Sequence, residues 1–254
     1  MSKPIKNLVV MTGAGISAES GIQTFRDQDG IWERYPMDLI ATPQGFHAHP
    51  DKVYGFYNLA RSWLQSEAVS PNAAHSSLAD LQKRWVAGGG NFTLITQNVD
   101  DLHQRAGHQS VLSMHGELLS ARCQQTGQTQ PWLGDLLPHH RCRCCTPPVA
   151  LRPNIVWFDE DPLHMQSCWT AVQEADLLVS IGTSGAVYPA AGFLDIASQL
   201  GRMTLELNLK PTSPKVFAGI YGPATQTVPL LSENLYPLMP MQVLSDWIET
   251  KIVS

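Results

Sequence analysis

The glycine-rich run Gly13-Ala14-Gly15-Ile16-Ser17-Ala18-Glu19 follows an apolar stretch, Leu8 to Met11, that reads as a buried strand. Glycines at such a turn let a phosphate approach bare backbone, and a helix beginning near Ser17 would offer it unpaired N–H groups. Gly13, Gly15 and Ala18 fit the spacing G-x-G-x-x-G/A of a dinucleotide site. The residues that follow depart from a hydride-transferring enzyme. There the first helix leads into a second strand whose acidic end holds the adenosine ribose. Here Gly21 interrupts, and Thr24-Phe25-Arg26-Asp27 lies in a polar segment that runs to Trp32. That segment reads as a loop laying a cation, a carboxylate and aromatic rings over a bound nucleotide.

Other polar groups stand at the ends of further apolar runs. Phe92 to Ile95, Val111 to Met114, Leu177 to Ile181 and Thr204 to Leu207 read as short buried strands. They hand over to Thr96-Gln97-Asn98-Val99-Asp100, His115-Gly116-Glu117, Gly182-Thr183-Ser184-Gly185 and Asn208. Ligands of open α/β sheets bind outside the carboxyl ends of the strands, so these ends, with the glycine loop, predict one nucleotide site. Helical patterns lie between them. One spans Asn72 to Trp85 with Leu78, Leu81 and Trp85 facing inward, and another runs from Pro189 to Leu200 and stops at Gly201.

The elements that must position these groups therefore form an α/β fold, a Rossmann-like parallel sheet covered on both faces. Residues 1–36, 68–117 and 150–254 supply this domain. Residues 37–67 read as helical without a strand, and residues 118–149 are rich in Cys, Gly, Gln and Pro. Together they read as a smaller inserted module, with the cleft between module and sheet. A chain of 254 residues with 43% hydrophobic content can bury such a core. No apolar run is long enough to span a bilayer, and MSKPIKNLVV is too short and polar for a secretory signal, so a cytoplasmic protein without a membrane partner is expected. A formal charge of −5 gives no electrostatic footprint for nucleic acid. Of the five cysteines, Cys142, Cys144 and Cys145 cluster, which in this setting favours a metal over a disulfide.

In this order, GAGISAESGIQTFR, TQNVDDLHQRAG, MHGEL, PNIVWF, GTSGAVYPA and ELN resemble the sirtuins, NAD-dependent protein-lysine deacylases, and most closely their bacterial class III type. The resemblance runs from Leu8 to Tyr221-Gly222-Pro223-Ala224. It implies that NAD is a co-substrate, that the acyl-lysine carbonyl oxygen attacks the nicotinamide ribose, and that a ribose hydroxyl then captures the acyl group. His115 would be the base, since an imidazole titrates near neutrality. Asn98 and Asp100 would hold the nicotinamide carboxamide and its ribose, and Gln97 the ribose hydroxyls. By residue type alone Asn98 and Asp100 also suit a turn, and Thr183 and Ser184 a helix cap. The resemblance completes the NAD site with Gly13, Ala14, Gly15, Ser17, Glu19, Thr24, Phe25, Arg26, Trp32, Val99, Gly182, Thr183, Ser184, Asn208, Leu209, Lys210 and Ala224. Arg26 would pair with the pyrophosphate or stay by the leaving nicotinamide, and Phe25 would shield the reacting carbon. Ile155-Val156-Trp157-Phe158 would be an edge to which an acylated protein or peptide adds as a strand, with Val156 and Phe158 lining the acyl-lysine tunnel. His75, in Pro71-Asn72-Ala73-Ala74-His75, matches the family and reads as structural.

Two departures stand out. The family's zinc site carries two C-x-x-C pairs, but here Cys123 is followed by Thr126 in the second position. Cys123, Cys142 and Cys145 need a fourth ligand for tetrahedral zinc, either Cys144 or His140, and a module of reduced thiols without metal is the other reading. Class III enzymes that take succinyl-lysine carry Tyr-x-x-Arg on the helix before the PNAAH motif. Here Tyr57 is followed by Ala60 and then Arg61, which lies about a hundred degrees further around a helix. A neutral acyl group such as acetyl is therefore expected. A desuccinylase using Tyr57 and Arg61, a mono-ADP-ribosyltransferase and a non-catalytic NAD sensor are the alternatives.

Overall fold

A computed structural model describes residues 3–22, 36–212 and 216–252, and nine strands lie among them. In chain order they are β1 (Asn7–Thr12), β2 (Asn91–Thr96), β3 (Val111–Ser113), β4 (Gly116–Cys123), β5 (Thr129–Pro131), β6 (Leu151–Ile155), β7 (Leu177–Ile181), β8 (Met203–Asn208) and β9 (Ala218–Tyr221). Six of them form one sheet in the order β3-β2-β1-β7-β8-β9, and every pairing in it is parallel. With the other three strands set aside, this is the strand order of a doubly wound dinucleotide fold, and the reversal falls between β1 and β7.

Both faces of that sheet are buried, which is why its strands read as continuous apolar runs. Successive side chains of β1 point to opposite faces. Leu8 and Val10 join one core with helices α4 (Ala73–Ala87), α8 (Ala224–Asn234) and α9 (Met241–Ile252). The inward stripe Leu78, Leu81 and Trp85 of α4 lies there, and Trp85 is fully buried. Val9 and Met11 join the opposite core with α6 (Met165–Glu174) and α7 (Ala190–Gln199), through Cys168, Val172, Phe193 and Leu194. Each buried leucine or phenylalanine stabilises the sheet by roughly 1.5–3 kcal/mol. Asn72 caps α4, accepting from the backbone N–H groups of Ala74 and His75.

The remaining strands form an antiparallel sheet in the order β5-β4-β6. Residues 151–155 thus pair with β4 and not with the parallel sheet. Helices α1 (Met37–Ile40), α2 (Pro43–Ala48) and α3 (Pro50–Leu64) pack on this small sheet through a core of Ile40, Val53, Phe56, Leu118, Ile155 and Trp157. Short α5 (Leu102–Arg105) follows β2. Among the described residues no helix is long and apolar enough to cross a membrane.

One local expectation fails. No α-helix starts at Ser17. The chain makes two short 3-10 turns, Ala14–Ile16 and Ala18–Ser20, and Gly21 ends them at φ 82°. A left-handed residue of this kind stops a helix, and glycine enters that region without strain.

Candidate active site

The glycine loop sits at the sheet's reversal point because it must touch the loop after β7. Gly13 N donates to Ile181 O at 3.0 Å and Gly15 N to Gly182 O at 2.9 Å. A Cβ on Gly15 would lie 2.7 Å from Gly182 Cα, so no larger residue fits between the two loops. Their contact brings Ala14, Gly182 and Thr183 to the same end of the sheet. The Thr183 hydroxyl is bonded to Ser180 Oγ at 3.0 Å, and Ser184 Oγ accepts from Ala186 N. Asn208 Nδ2 donates to Thr183 O at 2.6 Å, so the ends of β7 and β8 are joined. Leu209 and Lys210 follow on the exposed side. The Glu19 carboxylate accepts from Thr225 N and Oγ1, which ties the glycine loop to the first turn of α8 beside Ala224.

A second group forms around Ser17. Its Oγ donates to Asp100 Oδ2 at 3.0 Å and accepts from Asn98 Nδ2 at 3.1 Å, and the same Nδ2 reaches Gly13 O at 3.2 Å. Gln97 N donates to Thr12 O, and Val99 O accepts from Leu118 N. Burial pushes the Asp100 carboxyl up to about 6, against the bonds from Leu102 N and Ser17 that favour its charged form.

His115 lies in the turn between β3 and β4. Its Nδ1 bonds to Gln97 O at 2.8 Å, and its own carbonyl accepts from Val156 N at 2.9 Å. Desolvation pulls its pKa below the ordinary value, and the bond to Gln97 opposes that shift. The structure thus brings Gly13, Ser17, Gln97, Asn98, Asp100 and His115 to one end of the sheet. Thr24, Phe25, Arg26 and Trp32 lie outside the described residues.

The small antiparallel sheet carries the next group of residues. β6 ends at Ile155, one residue into the run that reads as a strand, and the next three residues continue with each N–H engaged. Val156 N meets His115 O, Trp157 N meets the Glu160 carboxylate, and Phe158 N meets Ala41 O. An added peptide strand would therefore have to pair with carbonyl oxygens on this stretch. Trp157 is buried and donates Nε1 to Tyr57 Oη at 2.9 Å, while Phe158 is half exposed. Tyr57 Oη donates in turn to Ile40 O, and burial raises its pKa well above the ordinary tyrosine value. Arg61 is turned to other partners, Leu118 O at 3.1 Å and Asn58 Oδ1 at 2.7 Å, and burial lowers its pKa. The two side chains, four residues apart on one face of α3, share no hydrogen-bond partner, because each is turned to different groups.

The cysteines converge fully. The sulfur atoms of Cys123, Cys142, Cys144 and Cys145 all lie within 4.8 Å of one another. Cys123 and Cys145 are 3.6 Å apart and Cys144 and Cys145 are 3.8 Å apart. Zinc–sulfur bonds of about 2.3 Å give a tetrahedron with edges of about 3.8 Å, so this donor set fits zinc. Hydrogen bonds from the Thr126 side chain and backbone bring the Cys123 thiol down to about 6, toward the thiolate a metal needs. His140 is not in the cluster. Its Nδ1 accepts from Leu137 N and its ring packs on Trp132.

Two features escape a reading by motif. Glu206, fully buried at the end of β8, accepts from Thr212 N and Oγ1 and from Tyr221 Oη. His75, His103 and His108 stack edge to face, with centroids 4.9 and 5.0 Å apart, and each leaves one buried ring nitrogen without a partner. His103 Nε2 meets Thr12 Oγ1 at 2.9 Å, directly beneath the strand ends. His75 and His103 lie in runs that carry the resemblance, but no run names the three as a group.

Comparison with known proteins agrees with this geometry. A model of the Sir2 family matches residues 13–189. A curated protein of Pasteurella multocida (strain Pm70), named NAD-dependent protein deacylase, is 51% identical over 231 residues, covering 90% of this chain and 97% of that one. Two solved structures share the fold. A mutant Sir2 homologue in complex with ADP-ribose gives a TM-score of 0.79 at 35% identity, covering 89% of this chain and 90% of that one. A Sir2 homologue in complex with NAD gives 0.78 at 34%, covering 94% and 90%.

Proposed function

The chain belongs to the Sir2 family, and from that premise we propose that it is an NAD-dependent protein-lysine deacylase acting chiefly on acetyl groups. The observation that carries the reading is His115 held by Gln97 O at the strand end that also presents Asn98 and Asp100. NAD supplies the electrophilic ribose carbon that the acyl-lysine carbonyl oxygen attacks as nicotinamide leaves, and its ADP-ribose carries the acyl group away.

The residues divide that work. Asn98 and Asp100, oriented by Ser17, hold the nicotinamide end, and Asn98 is itself buried. His115 takes a proton at Nε2 from the ribose hydroxyl that captures the acyl group. Gly13, Ala14, Gly15, Gly182, Thr183 and Ser184 line the phosphates, and Asn208, Leu209, Lys210 and Ala224 the adenosine end, with Glu19 bracing α8. Ile155, Val156, Trp157 and Phe158 receive the acylated peptide from the module side. Tyr57 Oη and two of the three Arg61 nitrogens already have partners, so neither side chain offers a carboxylate its full hydrogen bonding. That favours acetyl over succinyl.

Cys123, Cys142, Cys144 and Cys145 would hold a structural zinc ion that ties the loop before β6 to the end of β4. The sheet domain and the module, which by its strand pairing also takes in residues 151–155, then form the two walls of the cleft. All five cysteines are unpaired, which suits the reducing cytoplasm we assign to the protein.

The test follows nicotinamide release and peptide mass on matched acetyl-lysine and succinyl-lysine peptides, with and without NAD, for wild type and His115→Ala. NAD-dependent loss of acetyl that vanishes in the variant supports the reading. Peptide that gains ADP-ribose instead points to a transferase, and NAD binding without turnover to a sensor.

A further inference from the structure

Glu160 gathers four donors on one carboxylate. Arg152 grips it with two nitrogens, Nη1 to Oε1 at 2.7 Å and Nη2 to Oε2 at 2.6 Å. Arg122 Nη2 reaches Oε2 at 2.8 Å, and Trp157 N reaches the same oxygen at 2.9 Å. The two arginines also hold the carbonyl of Ile155, at 2.8 Å from Arg152 Nη2 and 3.2 Å from Arg122 Nη2. The Arg152 guanidinium lies 3.7 Å from the centroid of the Trp157 ring, and Phe46 packs on that ring at 5.0 Å.

These contacts close on the segment that faces the cleft. Of the three consecutive N–H groups there, two are held by backbone carbonyls, of His115 and Ala41, and the middle one by Glu160. Arg152 comes from β6 and Arg122 from β4, so Glu160 fastens the segment to two of the three strands of the small sheet. The side chains are only 10–22% exposed. Taking three charged groups largely out of water is a poor route to stability alone, since apolar packing would serve as well. What the network adds is a fixed direction for one N–H and one carbonyl beside the base, with charge-assisted bonds that are the strong ones.

We infer that Glu160 is a positioning residue for the acylated substrate, locking Ile155–Phe158 so that the peptide meets His115 in register. The inference rests on the deacylase reading above. The Glu160 carboxylate bonds to Arg122, Arg152 and Trp157 N, and none of these belongs to the glycine loop or to the Ser17-Asn98-Asp100 group. Its loss therefore loosens the peptide edge while the glycine loop and the Ser17-Asn98-Asp100 group stay as they are.

The experiment measures binding of a labelled acetyl-lysine peptide by anisotropy and of NAD by calorimetry, with wild type and Glu160→Gln. Peptide affinity falls about tenfold and NAD affinity stays within about twofold, where a tenfold change corresponds to about 1.4 kcal/mol. Should Glu160→Gln leave the two arginines unpaired and the chain unfolded, the neutral triple variant Arg122→Gln/Arg152→Gln/Glu160→Gln gives the same split without a stranded charge. Unchanged peptide affinity in a folded variant overturns the inference. So does an equal loss of peptide and NAD binding, the mark of a general structural role. A nicotinamide-release assay on wild type separates the two readings: no release sinks the deacylase, whereas release with peptide binding indifferent to Glu160 sinks only the positioning role.

Discussion

His115 donates its Nδ1 proton to the carbonyl oxygen of Gln97 at 2.8 Å. A carbonyl can only accept, so the bond selects the neutral tautomer whose bare lone pair is on Nε2. Gln97 belongs to the same strand-end loop as Asn98 and Asp100. The base is therefore oriented by the loop that presents the polar groups it must work beside.

Burial disfavours the imidazolium, and its pKa is lowered from the ordinary 6.5. The base stays unprotonated to lower pH than a solvent-exposed histidine would. The acid limb of kcat/KM for nicotinamide release, measured from pH 5 to 9, is expected below 6.5. His115→Ala should lower kcat by about 10²- to 10⁴-fold, the range for a lost general base, with NAD binding retained. An acid limb above 6.5 would show that another group titrates.

Arg61 spends Nε on Leu118 O and Nη1 on Asn58, and leaves only Nη2 buried without a hydrogen-bond partner. Arg61→Leu should cost about 1–3 kcal/mol of stability by taking the donor from Leu118 O, while Asn58 Oδ1 keeps its bond from Leu136 N. The ratio of succinyl to acetyl turnover should not move. Denaturant melts and paired peptide assays check both parts, and a selective loss of succinyl turnover would return Arg61 to the acyl pocket.

How far the sequence foretells the molecule depends on how local each cause is. Strand runs such as Leu177–Ile181 were legible because burial on both faces leaves an unbroken apolar stretch. Asn72 was legible as a helix start because its capping partners are two and three residues away. The helix expected after Gly13 was not, because Ser17 turns its hydroxyl to Asp100, 83 residues on, and Gly15 pairs with the β7 loop. Glu160 gave no signal either, since one of its two arginines is 38 residues away and only the small sheet brings it close. The cysteines were legible as a cluster, but choosing Cys144 over His140 required the fold to show that His140 is turned toward Trp132.

Cys144 occupies the place that a cysteine at position 126 would otherwise fill, and Thr126 Oγ1 stands 3.2 Å from its sulfur. Cys144→Ser should therefore lower zinc affinity by at least about tenfold and lower the melting temperature in the presence of chelator. Thr126→Cys in that background should restore zinc content, because it returns a fourth thiolate to the same corner. Metal analysis of the purified variants reads the result. Full zinc occupancy in Cys144→Ser alone would mean that another group closes the tetrahedron.

The histidine trio and Asp100 pull stability in opposite directions on the acid side. Burial lowers His75 and His108 to about 4 from the ordinary 6.5 and takes His103 lower as well. Between these values the unfolded chain binds protons that the folded chain refuses, so stability rises with pH through the window from about 4 to 6.5. Asp100, raised from 3.8 to about 6, does the reverse, because its folded form holds a proton that the unfolded form releases. Each proton of difference is worth about 1.4 kcal/mol per pH unit. Three histidines outweigh one carboxyl, so denaturant midpoints should climb from pH 4.5 to 6.5 and level off above that. His108→Gln should flatten the climb by about one proton's worth. A midpoint that falls with rising pH over this window would mean that Asp100 dominates and that the trio is not held neutral.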